Sequence, residues 1–258
     1  MILSRRIFLL FLAFCLVLAP VGAFAEEASA KPDPDQIRRI LTEGNARFAA
    51  GRAENPHTGR DRLVLAGRES QANYALATVL SCSDSRVPVE RLFDVGVMDL
   101  FVVRVAGAVC NTDEAGSIEY GLAHVNTPLL VVLGHTQCGA VSAVAADVRG
   151  ESHHLETNIP PLIASIYPAV KRALEQKPGG GEEEMLNLAI EENVKESIRN
   201  LFLKSPTARD LVESGKVKVA GAIYDVSTGL VLWLPQDTAS RILEEVGRDP
   251  GRVVESGK

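Results

Sequence analysis

Four short apolar runs separated by segments of helical periodicity constrain the fold of this chain more than any other feature. The runs are Ala75–Leu80, Leu100–Val105, Leu129–Leu133 and Val217–Ile223. Runs of this length that are apolar throughout are typical of strands buried on both faces. Because helical segments connect them, the strands are predicted to lie parallel, with helices on both faces of the sheet.

The connecting helices are predicted from apolar residues at helical spacing. They are Ser117–Val125, Ala140–Val148, Ile159–Leu174 and Met185–Leu203. Ser227–Gly229 is a turn signal that predicts Leu230–Leu234 as an antiparallel strand. The Gly- and Glu-rich segment Lys177–Glu184 is predicted to be an exposed loop. The predicted fold class is therefore α/β: a central, mainly parallel sheet of four parallel strands plus a C-terminal antiparallel strand, flanked by helices.

An N-terminal helical arm precedes the first strand. Asp33 and Pro34 are suited to the N-cap and first position of a helix. Apolar residues then recur at helical spacing from Ile37 to Phe48, and Gly51 fits the end of the helix. The sequence leaves open whether this helix packs on its own chain or on a second subunit.

The first 25 residues have the pattern of a secretory signal. Arg5 and Arg6 precede the apolar run Ile7–Val21, and Ala23-Phe24-Ala25 supplies the small residues that signal peptidases require. An uncleaved membrane anchor is the alternative, although the run is short for a span. We expect residues 1–25 to be a signal peptide, 26–34 a polar tether and 35–258 a single domain. The mature protein is expected to be periplasmic or secreted, without stable membrane association.

Composition limits the partners of the expected mature chain. The full sequence has a net charge of −6, and removal of Arg5 and Arg6 with the signal makes it −8. An acidic surface argues against nucleic acid and anionic membranes as partners. The hydrophobic content of 46% is sufficient for one sizeable core.

Cysteines and one histidine follow two of the predicted strands. Cys82 lies just after the first strand, and His135 and Cys138 lie just after the third. Because carboxyl ends of parallel strands share one edge of a sheet, these side chains are expected to meet there. Two thiolates and an imidazole suit Zn²⁺, and three protein ligands leave the open position typical of a catalytic zinc.

Two other uses of these residues remain open. An oxidising compartment permits a disulfide between Cys82 and Cys138. A fourth side chain, with Asp84 the nearest, could instead close a structural zinc site. The expected mature chain has an odd number of cysteines, because Cys110 is present besides Cys82 and Cys138. Cys110 is interpreted as a small buried apolar residue.

The chain resembles the β-class carbonic anhydrases over residues 37–234. Leu76–Pro88 is similar to the family's first zinc segment and Val131–Val141 to its second. Shorter matches occur at Gly44–Phe48, Ser117–Tyr120, Glu192–Val194 and Ala222–Gly229. The resemblance implies an enzyme, a zinc lyase with one Zn²⁺ per chain, which hydrates CO₂ reversibly to bicarbonate and a proton through zinc-bound hydroxide. It also implies a homodimer or a larger homo-oligomer.

Asp84 and Arg86 are the predicted catalytic residues. In an extended segment Asp84 points to the same side as Cys82, so its carboxylate can accept a hydrogen bond from the zinc water. The planar fork of Arg86 can hold Asp84 in place and keep it ionised. A structural salt bridge is the alternative reading of this pair. The resemblance further implies that Asp84 can become a fourth zinc ligand in a closed form.

The resemblance also places Phe101, Tyr120 and Gly139 in the substrate pocket. The two aromatic rings would line an apolar CO₂ pocket, although plain core packing is a comparable reading. Gly139 would offer its backbone amide to bicarbonate. Since the family's pocket often straddles a dimer interface, these residues could serve the zinc of a partner.

Several points stay open at the level of sequence. Hydrolysis of CS₂ or COS on the same scaffold and a zinc-binding module without turnover are alternative functions. Residues 104–108 lack the Asn positions that the family often shows after its second strand, which leaves the structure of that loop undetermined. The candidates for a proton shuttle are His57, His124, His153 and His154.

Overall fold

The structure is a computed structural model that describes residues 31–151 and 154–254. The predicted signal peptide, the first five residues of the predicted tether (26–30) and His153 lie outside the described residues. The residues from Lys31 onward form one compact unit. Within the described ranges, no helix is long and apolar enough to cross a membrane.

Five strands form one sheet in the order β2-β1-β3-β4-β5. They are β1 (Ala77–Ser81), β2 (Leu100–Arg104), β3 (Leu129–His135), β4 (Lys218–Tyr224) and β5 (Val231–Trp233). The pairs β1–β2, β1–β3 and β3–β4 are parallel, and β4–β5 is antiparallel. The predicted fold class, including the antiparallel last strand, is confirmed.

Ten α-helices are described around the sheet. They are α1 (Pro34–Ala49), α2 (Arg60–Ala66), α3 (Val89–Leu92), α4 (Thr112–Ala123), α5 (Gly139–Val148), α6 (Ile159–Ile163), α7 (Tyr167–Gln176), α8 (Glu182–Lys204), α9 (Pro206–Glu213) and α10 (Thr238–Gly247). Three-residue 3₁₀ turns occur at Gln71–Asn73, Ala106–Ala108 and Ala164–Ile166.

Three helical boundaries differ from the prediction. Helix α4 begins five residues before Ser117, because Asn111 and Glu114 form a capping box around a polar first turn. The helix predicted over Ile159–Leu174 is interrupted, since Pro168 has no N–H to continue the ladder of backbone hydrogen bonds. Helix α8 begins at Glu182, inside the predicted loop, where an acidic first turn is stabilised by the helix dipole.

The core lies on both faces of the sheet, as the apolar strands predict. Leu80, Leu130 and Val132 belong to the cluster on one face, and Val79 and Val131 belong to the cluster on the other. This alternation follows from the two-residue period of a strand. Both faces of the sheet are therefore covered.

Asn45 fastens the N-terminal helix to the body of the same chain. Its Nδ2 donates to the carbonyls of Leu92 at 3.0 Å and Gly229 at 2.8 Å, and its Oδ1 accepts from the Val231 amide at 2.8 Å. Asp33 caps the helix as predicted, with Gln36 completing a capping box. In the described structure, α1 thus packs on its own subunit.

Candidate metal centre

Adjacent parallel strands bring Cys82, His135 and Cys138 together at the carboxyl edge of the sheet. Cys82 directly follows β1, His135 is the last residue of β3, and Cys138 is the N-cap of α5. One ligand atom from each of the three lies within 4.8 Å of the other two. All three side chains are buried. The sequence predicted that these residues meet at the carboxyl edge of the sheet, and the structure brings them together there.

The histidine ring is oriented by its neighbour's carbonyl. Nδ1 of His135 donates to the Thr136 carbonyl at 2.9 Å, which fixes the tautomer and leaves the lone pair on Nε2. Nε2 is buried and has no hydrogen-bond partner among the described residues. A buried polar atom without a partner is unfavourable. A metal ion between this nitrogen and the two sulfurs satisfies it, so the residues fit a bound zinc.

The two sulfurs of the cluster are close enough to hydrogen-bond to each other. The hydrogen bond from the Cys138 thiol lowers the pKa of Cys82 to about 4. The pKa of Cys138 is raised, first because its proton is held by the Cys82 thiolate and then by burial. Binding a metal through both thiolates releases this proton. Cys82, Cys110 and Cys138 are all free thiols, so the alternative disulfide is absent from the described structure.

Asp84 and Arg86 form a bidentate ion pair beside the cluster. Arg86 donates from Nε to Asp84 Oδ1 at 3.0 Å and from Nη2 to Oδ2 at 2.7 Å. These bonds hold the pKa of the Asp84 carboxyl well below its usual range. Oδ2 of Asp84 lies 4.0 Å from His135 Nε2. The ionised carboxylate of Asp84, a hydrogen-bond acceptor, therefore lies next to His135 Nε2, which faces the centre of the cluster.

Arg86 also ties the two metal-binding loops to each other. Its Nη2 donates to the Gln137 carbonyl at 3.1 Å and its Nη1 to Gln137 Oε1 at 3.3 Å. Gln137 lies between His135 and Cys138 and has a φ of 57°, a left-handed conformation. Such a conformation needs support from its surroundings. The contact with Arg86 couples the loop after β1 to the loop after β3.

Arg104 supports the site, and the sequence reading gave it no role. Its Nε donates to the Cys82 carbonyl at 3.0 Å and its Nη2 to the Asp84 carbonyl at 2.7 Å. Arg104 is opposite Ser81 in the parallel pairing of β1 with β2. This role could have been inferred from the sequence, because Arg104 is a cationic residue at the end of β2 and β2 neighbours β1, the strand that leads to Cys82.

The predicted pocket residues fall into two places. Gly139 is the first residue of α5, next to the cluster, where the N–H groups of a helix have no partner within the helix. Phe101 instead pairs with Thr78, four residues before Cys82, which corresponds to about 13 Å along a strand. Its ring lies 6.0 Å from that of Tyr120, which is 53% exposed. The structure does not bring these two rings to the cluster of their own chain.

Two of the remaining histidines, His57 and His124, make contacts with residues outside the cluster, and His154 is exposed. Nδ1 of His57 is 2.7 Å from Asp99, which directly precedes β2 at the opposite edge of the sheet. The ring of His124 lies next to that of Tyr120, with centroids 5.1 Å apart and the two planes tilted by 34°. Cys110 is fully buried in the core, and burial raises its pKa to about 12. It packs as a small apolar residue, consistent with its sequence interpretation.

Comparison with known proteins gives consistent matches. The sequence profile of the carbonic anhydrase family matches residues 77–231. Carbonic anhydrase 2 of Mycobacterium tuberculosis is 32% identical over 215 residues, which cover 83% of this chain and 98% of that protein.

Two solved structures have the same fold. The β-carbonic anhydrase of Coccomyxa in complex with acetazolamide has a TM-score of 0.58 and 25% identity, over 75% of this chain and 84% of that one. A tetrameric β-carbonic anhydrase from Sordaria macrospora has a TM-score of 0.59 and 22% identity, over 78% and 97%. The fold, the Cys-His-Cys cluster and these matches confirm the predicted family, enzyme class and zinc cofactor. The chain belongs to the β-class carbonic anhydrases, which are zinc-using lyases.

Proposed function

We propose that this protein catalyses the reversible hydration of CO₂ to bicarbonate and a proton, with one zinc ion held by Cys82, His135 and Cys138. The observation that carries the proposal is the buried Nε2 of His135, which lacks a partner among the described residues and lies beside an ionised Asp84. The family membership supports the same reaction.

Each residue of the site has a definable task in this reaction. When bound, zinc acts as a Lewis acid that lowers the pKa of a coordinated water and so makes it a nucleophile at neutral pH. The carboxylate of Asp84 accepts a hydrogen bond from a water at the cluster and orients its lone pair toward CO₂. Arg86 keeps that carboxylate ionised and turned toward the cluster through two parallel hydrogen bonds. A site that only stored metal would need neither residue.

We further propose that the protein works as a homodimer or larger homo-oligomer. Tyr120 places an exposed aromatic ring beside Phe101 on the edge strand β2, and both lie far from the cluster of their own chain. Burial of such a ring by a second copy would remove apolar surface from water. It would also allow the two rings to line the CO₂ pocket of the partner. The Sordaria relative is described as tetrameric.

Export with removal of residues 1–25 is proposed from the sequence. The charge, apolar run and Ala23-Phe24-Ala25 pattern support it. An exported protein must keep two thiols bound to metal in an oxidising compartment. The burial of Cys82 and Cys138 favours this, because it limits access of oxidants to the sulfurs.

Zinc content tests the ligand assignment. Purified wild-type protein is expected to contain one zinc per chain by elemental analysis. Cys82→Ser and Cys138→Ser should lose most of it, because a hydroxyl is a poor replacement for a thiolate ligand. Cys110→Ala is the matched control and should keep a full complement. Full zinc occupancy in both serine variants would contradict the assignment.

Asp84→Asn separates catalysis from metal binding. The variant should keep its zinc, while CO₂ hydration followed by stopped flow with a pH indicator should fall by about 10²-fold or more. Asp210→Asn removes an exposed carboxylate on α9 and should leave the rate unchanged. Near-normal hydration by Asp84→Asn would refute its role. Assays with COS and CS₂ test the alternative hydrolase function. Stopped-flow CO₂ hydration with and without a chelator tests the alternative of a zinc-binding module without turnover.

The oligomer is tested by placing a charge in the aromatic patch. Tyr120→Glu should reduce the mass measured by sedimentation from a dimer or higher oligomer to a monomer, because a buried carboxylate at an interface is strongly unfavourable. Val254→Glu, at another exposed apolar position, is the control and should retain the oligomer. A monomeric wild-type protein at micromolar concentration would contradict the proposal.

Signal cleavage is tested by intact mass. When the full chain is expressed in a Gram-negative host, the protein released from the periplasm should begin at Glu26. Ala25→Phe should block processing, since the peptidase requires a small residue there. Ala30→Phe serves as the control and should be processed normally. Recovery of the uncut wild-type chain from the cytoplasm or membrane would exclude cleavage after Ala25.

A further inference from the structure

The loop after β2 reaches the metal-binding cluster through a backbone amide. Gly107 lies in the 3₁₀ turn Ala106–Ala108, and its N–H donates to Cys82 Sγ at 3.3 Å. An amide hydrogen bond favours the thiolate form of a cysteine and draws electron density from the sulfur. The placement of this loop therefore bears directly on how Cys82 binds a metal ion.

This loop has an unfavourable backbone conformation, with one internal hydrogen bond, from the Ala108 N–H to the Val105 carbonyl at 3.0 Å. Gly107 and the following Ala108 have φ angles of 78° and 50°, both in the left-handed region. Alanine rarely adopts that region. A Cβ on Gly107 would lie 2.9 Å from Ile166 Cδ1 and 3.2 Å from Ala140 Cβ, so a side chain there would displace Ile166, and the positive φ would strain it as well. Contacts from outside the loop stabilise this conformation.

Those contacts come from two buried polar residues of α8. Nδ2 of Asn193 donates to the Gly107 carbonyl at 2.7 Å, and Oγ of Ser197 donates to the Ala108 carbonyl at 2.9 Å. The two residues are four positions apart, so they lie on one face of the helix. Both are almost completely buried, at 3% and 2% exposed.

Asn193 itself is only partly satisfied. Its Oδ1 has no hydrogen-bond partner among the described residues. Burying an amide with one half unpaired costs stability, so packing alone would favour an apolar residue here. The NH₂ group of the Asn193 side chain does have a partner, because it donates to the Gly107 carbonyl.

We propose that Asn193 and Ser197 are positioning residues for the metal centre, which hold the Gly107 amide against Cys82 and thereby set the metal affinity and donor strength of that sulfur. The inference rests on the proposed zinc site. It assigns a function to a helix that has no ligand of its own in the described cluster. It also explains how the loop at 104–108 is ordered without the asparagines that the family often shows there.

The test compares variants by metal binding rather than by turnover. Asn193→Leu and Ser197→Ala remove the two donors, and Asn200→Leu makes the first change seven residues farther along α8. Zinc affinity is measured by competition with a chromophoric chelator, and the sulfur-to-metal charge-transfer band is recorded after cobalt substitution. The melting temperature of each apoprotein reports stability separately.

Asn193→Leu is expected to weaken zinc binding about 10- to 100-fold, the usual effect of losing a partner of a metal ligand, because the loop then no longer holds Cys82 in its binding position, and this loss outweighs the gain in donor strength of the sulfur. Its cobalt band should move to longer wavelength, because a sulfur without its amide donor is a stronger electron donor. Ser197→Ala should show the same change in smaller measure and decides the question if Asn193→Leu does not fold. Asn200→Leu should match the wild type in both measurements.

Wild-type affinity and an unchanged cobalt band in both donor variants would overturn the inference while leaving the proposed function intact. An equal loss in Asn200→Leu would overturn it too, because the effect would then belong to the helix in general. If the wild-type protein binds no zinc, the proposed function and the inference fail together. If it binds zinc without hydrating CO₂, the function fails and the affinities still decide the inference.

Discussion

The parallel pairing of β1 with β3 is the constraint on which the rest of this structure depends. Its register sets Ser81 opposite Leu133, so the residues that follow β1 lie beside the end of β3. A shift of one residue would turn every side chain of a strand to the other face of the sheet. Cys82 and His135 could not then meet. The register is held by apolar residues packed on both faces, so the core determines the geometry of the metal-binding cluster.

Around the cluster, hydrogen bonds to backbone carbonyls and from arginines orient the site residues. The Thr136 carbonyl sets the tautomer of His135, and Arg86 directs Asp84 toward it. Arg104 holds the carbonyls of Cys82 and Asp84 from the neighbouring strand. Each of these bonds involves an atom other than the two sulfurs and the Nε2 nitrogen that would bind the metal. Such outer partners commonly determine how a metal site performs.

Much of the fold could be predicted from local pattern. Four apolar runs predicted β1 to β4, and the turn signal at Ser227–Gly229 predicted β5. The Asp33-Pro34 signal predicted the start of α1, because all these effects act over a few residues. Helices α2, α3, α9 and α10 were not predicted. Residues 60–66, 89–92, 206–213 and 238–247 are short segments, which local periodicity identifies poorly. The break before α7 depends on Pro168 and was missed because the apolar spacing continues through it.

The sequence by itself determined the family, the placement of Cys82, His135 and Cys138 at the carboxyl ends of parallel strands, and the pairing of Asp84 with Arg86. These features depend on residue type and on spacing within short segments. Only the tertiary structure decided what supports them: Gly107 on Cys82, and Asn193 and Ser197 on the loop that contains Gly107. These contacts join residues up to 89 positions apart. Packing of α8 against the sheet creates them, and no local pattern encodes such packing.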